Sequence, residues 1–138
     1  MKNYQIIEHT ADIGIRVKAR DLKELFKNAA RAMFDIMAET IEKKSQRTEK
    51  FALKQRAADR EELFINWLNE LLSLSATQGL VFKDFKIERL DEGSIEAIVT
   101  GNDIKSYKVN TEIKAATYHE LKLEKASSGW QAEVIFDV

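Results

Sequence analysis

Cysteine and proline are both absent from this 138-residue chain, and glycine occurs only five times. Without cysteine there is no disulfide, thiolate zinc site, iron–sulfur cluster or thiol nucleophile, which leaves oxygen and imidazole chemistry. Five glycines provide little material for a phosphate-cradling loop. The patterns G-x-x-x-x-G-K-[ST], G-x-G-x-x-G, G-x-S-x-G and H-E-x-x-H do not occur, so the nucleotide-binding and hydrolase classes that they mark lose their support. An excess of one charge is missing too: 22 Lys and Arg stand against 23 Asp and Glu, a formal charge of −1. Affinity for nucleic acid or an anionic membrane normally needs a marked basic excess or a focused basic patch, so any role with RNA is local or indirect. No apolar run approaches the ~20 residues of a membrane helix. The start, MKNYQIIEHTAD, lacks the apolar core of a signal peptide, which makes the cytoplasm the expected compartment.

What is present is strong periodicity. Residues 3–7 suit a short strand, and from Ile13 the period is two, with Ile13, Ile15, Val17 and Ala19 on one face and Gly14, Arg16, Lys18 and Arg20 on the other. Asp21 with Glu24 is a helix start, and Leu22, Leu25, Phe26, Ala29, Ala30, Met33, Phe34 and Met37 recur at helical spacing over roughly 22–38. The charged stretch 39–50 reads as a solvated loop leading to a weak strand at 50–55. Asp59 with Glu62 opens a second helix whose stripe is Leu63, Phe64, Trp67, Leu68, Leu71 and Leu72, with Gly79 as its stop. Residues 80–90 and 95–101 form a hairpin turned at Gly93, and 102–111 reads as loop or a short helical turn. Residues 112–124 and 130–138 are strands separated by A-S-S-G. Nothing marks an internal boundary, so residues 1–138 form one α+β domain, two amphipathic helices packed on mostly antiparallel sheet.

Three clusters carry polar side chains that chemistry can use. In E-H-T-A-D-I-G-I, Asp12 falls on the polar face where the strand begins, either as a turn residue bonding backbone amides or as a carboxylate ligand; His9 is either a hydrogen-bonded imidazole or a ligand or proton carrier. In V-I-F-D-V, Asp137 and the carboxylate of Val138 adjoin, either as a solvated end or as a packed end held by Ile135, Phe136 and Val138. If the last strand lies beside the one following Asp12, these oxygens converge on a site whose hardness favours Ca²⁺ or Mg²⁺ over zinc. In T-E-I-K-A-A-T-Y-H-E-L, alternation sends Lys114 to a polar face beside Glu112 and His119 to a more apolar one. Arg16, Lys18 and Arg20 make the one focused positive stripe in the pattern.

At these clusters the sequence resembles the archease family, small proteins that assist the RNA ligase RtcB in tRNA splicing. The matching segments are H-T-A-D-I-G-I at 9–15, I-K-A-A-T-Y-H at 113–119 and W-Q-A-E-V-I-F-D-V at 130–138. The resemblance implies a compact α+β protein that holds a divalent ion, Ca²⁺, through Asp12, Asp137 and Val138. It also implies a non-catalytic activator that promotes guanylylation of the ligase by GTP and permits repeated turnover, with tRNA engaged through the ligase. Lys114 matches the lysine of the second motif and, with His9, is a candidate for the partner interface. The rival class is a metal-dependent phosphoesterase using Asp12 and Asp137, with His9 or His119 as acid or base. Against it stands the sparse set of ligands, since two-metal phosphoryl enzymes collect more carboxylates and imidazoles.

Overall fold

The computed structural model describes residues 3–8, 12–41 and 47–138. Its two helices begin where the sequence places capping aspartates. Asp21 accepts a hydrogen bond from the Glu24 N–H at 2.9 Å and starts α1 (Leu22–Met37); Asp59 accepts from the Glu62 N–H at 2.8 Å and starts α2 (Arg60–Gln78). Each cap satisfies an N–H that the first helical turn leaves without a partner. Gly79 ends α2 in the left-handed region at φ 65°, ψ 43°, a conformation that costs an L side chain energy. α1 ends without a glycine, because Ala38 returns directly to extended backbone.

The strands are β1 (Tyr4–Glu8), β2 (Ile13–Ala19), β3 (Ala38–Thr40), β4 (Thr48–Arg56), β5 (Leu80–Leu90), β6 (Ser94–Asp103), β7 (Tyr107–Val109), β8 (Ala115–Ala126) and β9 (Gly129–Asp137). They form a four-stranded sheet in the order β1-β2-β9-β8, a three-stranded sheet β4-β6-β5 and a β3-β7 ribbon, with every pairing antiparallel. Both helices touch both larger sheets: α1 packs on β2, β9 and β5, and α2 on β8, β4, β5 and β6. This explains why α2 is buried on more than the expected stripe, Ile65 included. Phe26 and Phe64 meet edge to face at 5.1 Å where the helices cross, and the indole N–H of fully buried Trp67 donates to the Phe26 carbonyl at 2.9 Å. Burial of each such large side chain contributes roughly 2–3 kcal/mol. Trp67 and Phe64 are therefore core, as their helical spacing indicates.

Three expectations need correction. The charged stretch after α1 is not all loop, since Ala38–Thr40 pairs with Tyr107–Val109 and β4 already begins at Thr48; residues 42–46 lie outside the described set. The segment 102–111 does hold the short helical turn expected of it, a 3-10 turn at Ile104–Ser106 where the Asp103 side chain accepts from the Lys105 N–H at 2.9 Å, but it also carries the strand β7. The strand expected from 112 begins at Ala115 and is not regular. Its pairing with β9 runs from Ala115↔Asp137 to Thr117↔Ile135 and resumes only at Lys122↔Glu133, leaving three extra residues in β8.

Candidate functional site

The four-stranded sheet brings the three polar clusters to one end. β9 lies between β2 and β8, with Ile13 opposite Phe136 on one side and Ala115 opposite Asp137 on the other. The β2–β9 pairing ends at Ile13↔Phe136, so Asp12 and Asp137 each adjoin its last pair, at the same end of the sheet. On the other side of β9 the backbone N–H of Lys114 donates to the Asp137 carbonyl at 2.8 Å. Asp12 is half-buried and has partners of its own; Asp137, Val138 and Lys114 are exposed. His9 lies outside the described residues, as do Thr10 and Ala11 between it and Asp12.

The packing around this end follows from sequence. Phe136, Val134 and Ala132 alternate into the core from β9, and Ile15 and Val17 do the same from β2, so the intervening residues face outward. Thus the hydrophobic face of β9 anchors Asp137. Ala116 is buried and opposite Phe136; on the edge of β8 remote from β9, its N–H donates to Asn69 Oδ1 at 2.7 Å and its carbonyl accepts from Asn69 Nδ2 at 3.1 Å. Thr117 ties the same segment to β9 by donating its hydroxyl to the Ile135 carbonyl at 2.9 Å.

Beyond Thr117 the bulge breaks the alternation. Glu120 adopts φ 51°, the left-handed region, which a non-glycine residue occupies at a cost. Tyr118, His119 and Glu120 all become exposed, so His119 is not on an apolar face as alternation suggests. Partial desolvation of its hydroxyl, with Glu62 and Asp59 of the α2 start nearby, holds the Tyr118 pKa above the ordinary tyrosine value. Between the bulge and β1 a cavity of about 420 Å³ opens on the outer face, with Ile7, Gly14 and Ile135 among its lining and Glu120 and Lys122 at its side.

The positive stripe is largely compensated. Arg16 pairs with Glu133 at 3.2 Å, directly across the strands, Lys122 approaches the same carboxylate at 3.7 Å, and Arg20 pairs with Glu24 at 3.2 Å. Of these, the exposed Arg20–Glu24 pair contributes little stability, about 0–1 kcal/mol. The pairs do reduce the field that Arg16 and Arg20 would offer a phosphate. Lys18 stays exposed.

Among the described residues no three His, Cys, Asp or Glu side chains gather as a metal cluster. Of the residues expected to hold a metal, Asp12 and Asp137 lie at this end of the sheet, with Val138 directly after Asp137. Asn69 and the bulge are the parts that motif reading overlooks. The one available hint of Asn69 is an amide set within the apolar run W-L-N-E-L-L; the bulge has no glycine or proline to betray it.

Comparison with known proteins places this geometry in context. Residues 4–138 match the model of the archease protein family (MTH1598/TM1083). The chain is 39% identical over 143 residues to protein archease of Methanosarcina acetivorans, covering 99% of this chain and 97% of that one. It is 38% identical over 146 residues to protein archease of Pyrococcus abyssi, covering all of both chains. The solution structure of Methanobacterium thermoautotrophicum protein 1598 superposes over the full length of both chains with a TM-score of 0.75 at 30% identity. The crystal structure of an archease from Thermotoga maritima, described as a possible chaperone, covers 96% of this chain and 94% of its own with a TM-score of 0.69 at 28% identity.

Proposed function

The chain belongs to the archease family, and from this we propose that it is a non-catalytic activator of the tRNA-splicing RNA ligase RtcB, promoting guanylylation of the ligase by GTP and its repeated turnover. The observation that carries this reading is the convergence of Asp12, Lys114 and Asp137, from three distant parts of the chain, at one end of one sheet. A shared exposed end built from three motifs suits docking to a partner.

The donors at this end fit a hard divalent cation. Asp12 and Asp137 supply carboxylates and Val138 main-chain oxygens, with no cysteine thiolate in the chain, a set that suits Ca²⁺. When bound, such an ion would cancel the repulsion between the two carboxylates. Asp12 and Asp137 would hold the ion between the ends of β2 and β9, while Lys114 offers an exposed ammonium to an acidic or phosphate group of the ligase. The activator needs only to bind the nucleotide-competent state of the ligase better than the alternative. A preference of ~3 kcal/mol shifts that equilibrium about 150-fold.

The test combines this protein with the ligase, GTP and cleaved tRNA halves under multiple-turnover conditions, alongside the protein alone on labelled RNA and GTP. Stimulation of the ligase together with inertness alone supports the activator. Metal-dependent hydrolysis by the protein alone that disappears in Asp12→Asn would instead establish the phosphoesterase reading.

A further inference from the structure

β8 is the outermost strand of its sheet, so among the described residues the backbone on its far edge has no strand neighbour. At one residue a helix side chain fills that place. The Asn69 amide both accepts from and donates to Ala116, reproducing with one side chain the pair of hydrogen bonds a neighbouring strand would make. The match is chemically demanding: a carboxamide carries an acceptor and a donor side by side, whereas a carboxylate only accepts and an aliphatic chain does neither. Asn69 is carried on a helix whose flanking residues Trp67, Leu68 and Leu71 are fully buried, so its anchor point is rigid.

Location gives the clamp its meaning. Ala116 follows Lys114 by two residues and sits one pair away from Ala115↔Asp137. The regular part of β8 at this end is short, with irregular backbone at 111–114 before it and the bulge after Thr117. Ordinary ladder pairing over so few residues leaves the start of β8 weakly held. We propose that Asn69 is a positioning residue for this site: acting through Ala116, it holds the Lys114 backbone against Asp137 and so keeps the Lys114 and Asp137 groups at their working separation. Its functional consequence rests on the activator reading; its structural part does not.

The experiment uses the full chain with Asn69→Ala, which removes both bonds, and Asn69→Asp, which keeps the acceptor and loses the donor. Val99→Ala, a truncation of a fully buried side chain in the other sheet, is the control for general destabilisation. Amide hydrogen exchange, Ca²⁺ titration and thermal melts are recorded on all four proteins. Both Asn69 variants should speed exchange at Lys114 by about tenfold or more while Lys122–Ala126 in the far half of β8 keep their protection. Their Ca²⁺ affinity should fall about tenfold, the usual effect of losing a group that orients a ligand. Val99→Ala should lower the melt and leave both readouts alone. Unchanged Lys114 exchange, or equal acceleration in Val99→Ala, overturns the proposal, as does faster exchange with Ca²⁺ affinity intact. Should the unaltered protein take up no Ca²⁺, the metal reading falls and the exchange comparison still decides the role of Asn69.

Discussion

Lys114 and Asp137 are joined through their main chains: the Lys114 N–H donates to the Asp137 carbonyl at 2.8 Å, next to the pair Ala115↔Asp137. The contact does not involve the lysine ammonium, which belongs to an exposed residue. Loss of the side chain and loss of the strand junction are therefore separable.

Lys114→Ala should lower stimulation of the ligase while changing stability by no more than about 0.5 kcal/mol, the usual limit for a surface substitution. Turnover assays and thermal melts on the same preparation check this. A large fall in melting temperature would show that the ammonium is a structural partner instead.

Asp137→Asn keeps size and shape but removes a negative charge from the proposed cation shell. Ca²⁺ affinity should drop about tenfold or more. In the presence of chelator the variant should melt no lower than the wild type, because neutralisation relieves repulsion toward Asp12. Calorimetric titration and melts with and without chelator test both halves. Equal binding by the two proteins would remove Asp137 from the site.

Much of this arrangement is legible from residue order alone. Asp21 and Asp59 announce both helices, Gly79 the end of one, and alternation in 13–19 and 130–137 fixes which faces of β2 and β9 are buried. The neighbours of β9 are not legible, because sequence separation says nothing about which distant strands pair, yet that pairing is what unites Asp12 with Asp137. The start of β8 misleads for a different reason. Period-two counting through Tyr118, His119 and Glu120 assumes unbroken pairing, whereas three extra residues are accommodated there by a left-handed Glu120 without any turn-forming residue. Asn69 is invisible in the same way, since its worth lies in a backbone edge 47 residues away.

Gly129→Ala should be severely destabilising. Gly129 has φ 150°, and a Cβ there would lie 2.2 Å from the Ala19 carbonyl oxygen, a main-chain atom that cannot rotate aside. The strain and the forced displacement together should cost about 2 kcal/mol or more. Denaturant unfolding should show a lower midpoint at similar slope, and an unshifted midpoint would mean the β8–β9 turn can open without penalty.

Tyr118 should ionise later than an ordinary tyrosine, whose pKa is 10.0, because desolvation and the carboxylates of Glu62 and Asp59 disfavour its anion. A raised pKa in the folded state means that its contribution to stability is fully present below the ordinary value and is lost as pH climbs through the folded one. The difference in tyrosinate absorbance between wild type and Tyr118→Phe isolates this group. Glu62→Gln should bring its midpoint only part of the way down, since the larger cause, desolvation, persists. A midpoint at the ordinary value in the wild type would contradict the placement of Tyr118 against the start of α2.

β9 follows every other element in the chain yet occupies an interior place in its sheet. Arg16 and Glu133, which face each other across the β2–β9 ladder, are 117 residues apart. During synthesis β1, β2 and α1 emerge long before the strand that completes their sheet, and the edge of β2 that pairs with β9 waits without its neighbour. Contacts of such span are slow to form and leave an open strand edge exposed meanwhile. The junction of Asp12, Lys114 and Asp137 thus cannot assemble until β9 has been made, so any truncated or stalled product ending before β9 lacks the surface proposed to meet the ligase. On the activator proposal, competence toward the partner becomes a readout of completed folding.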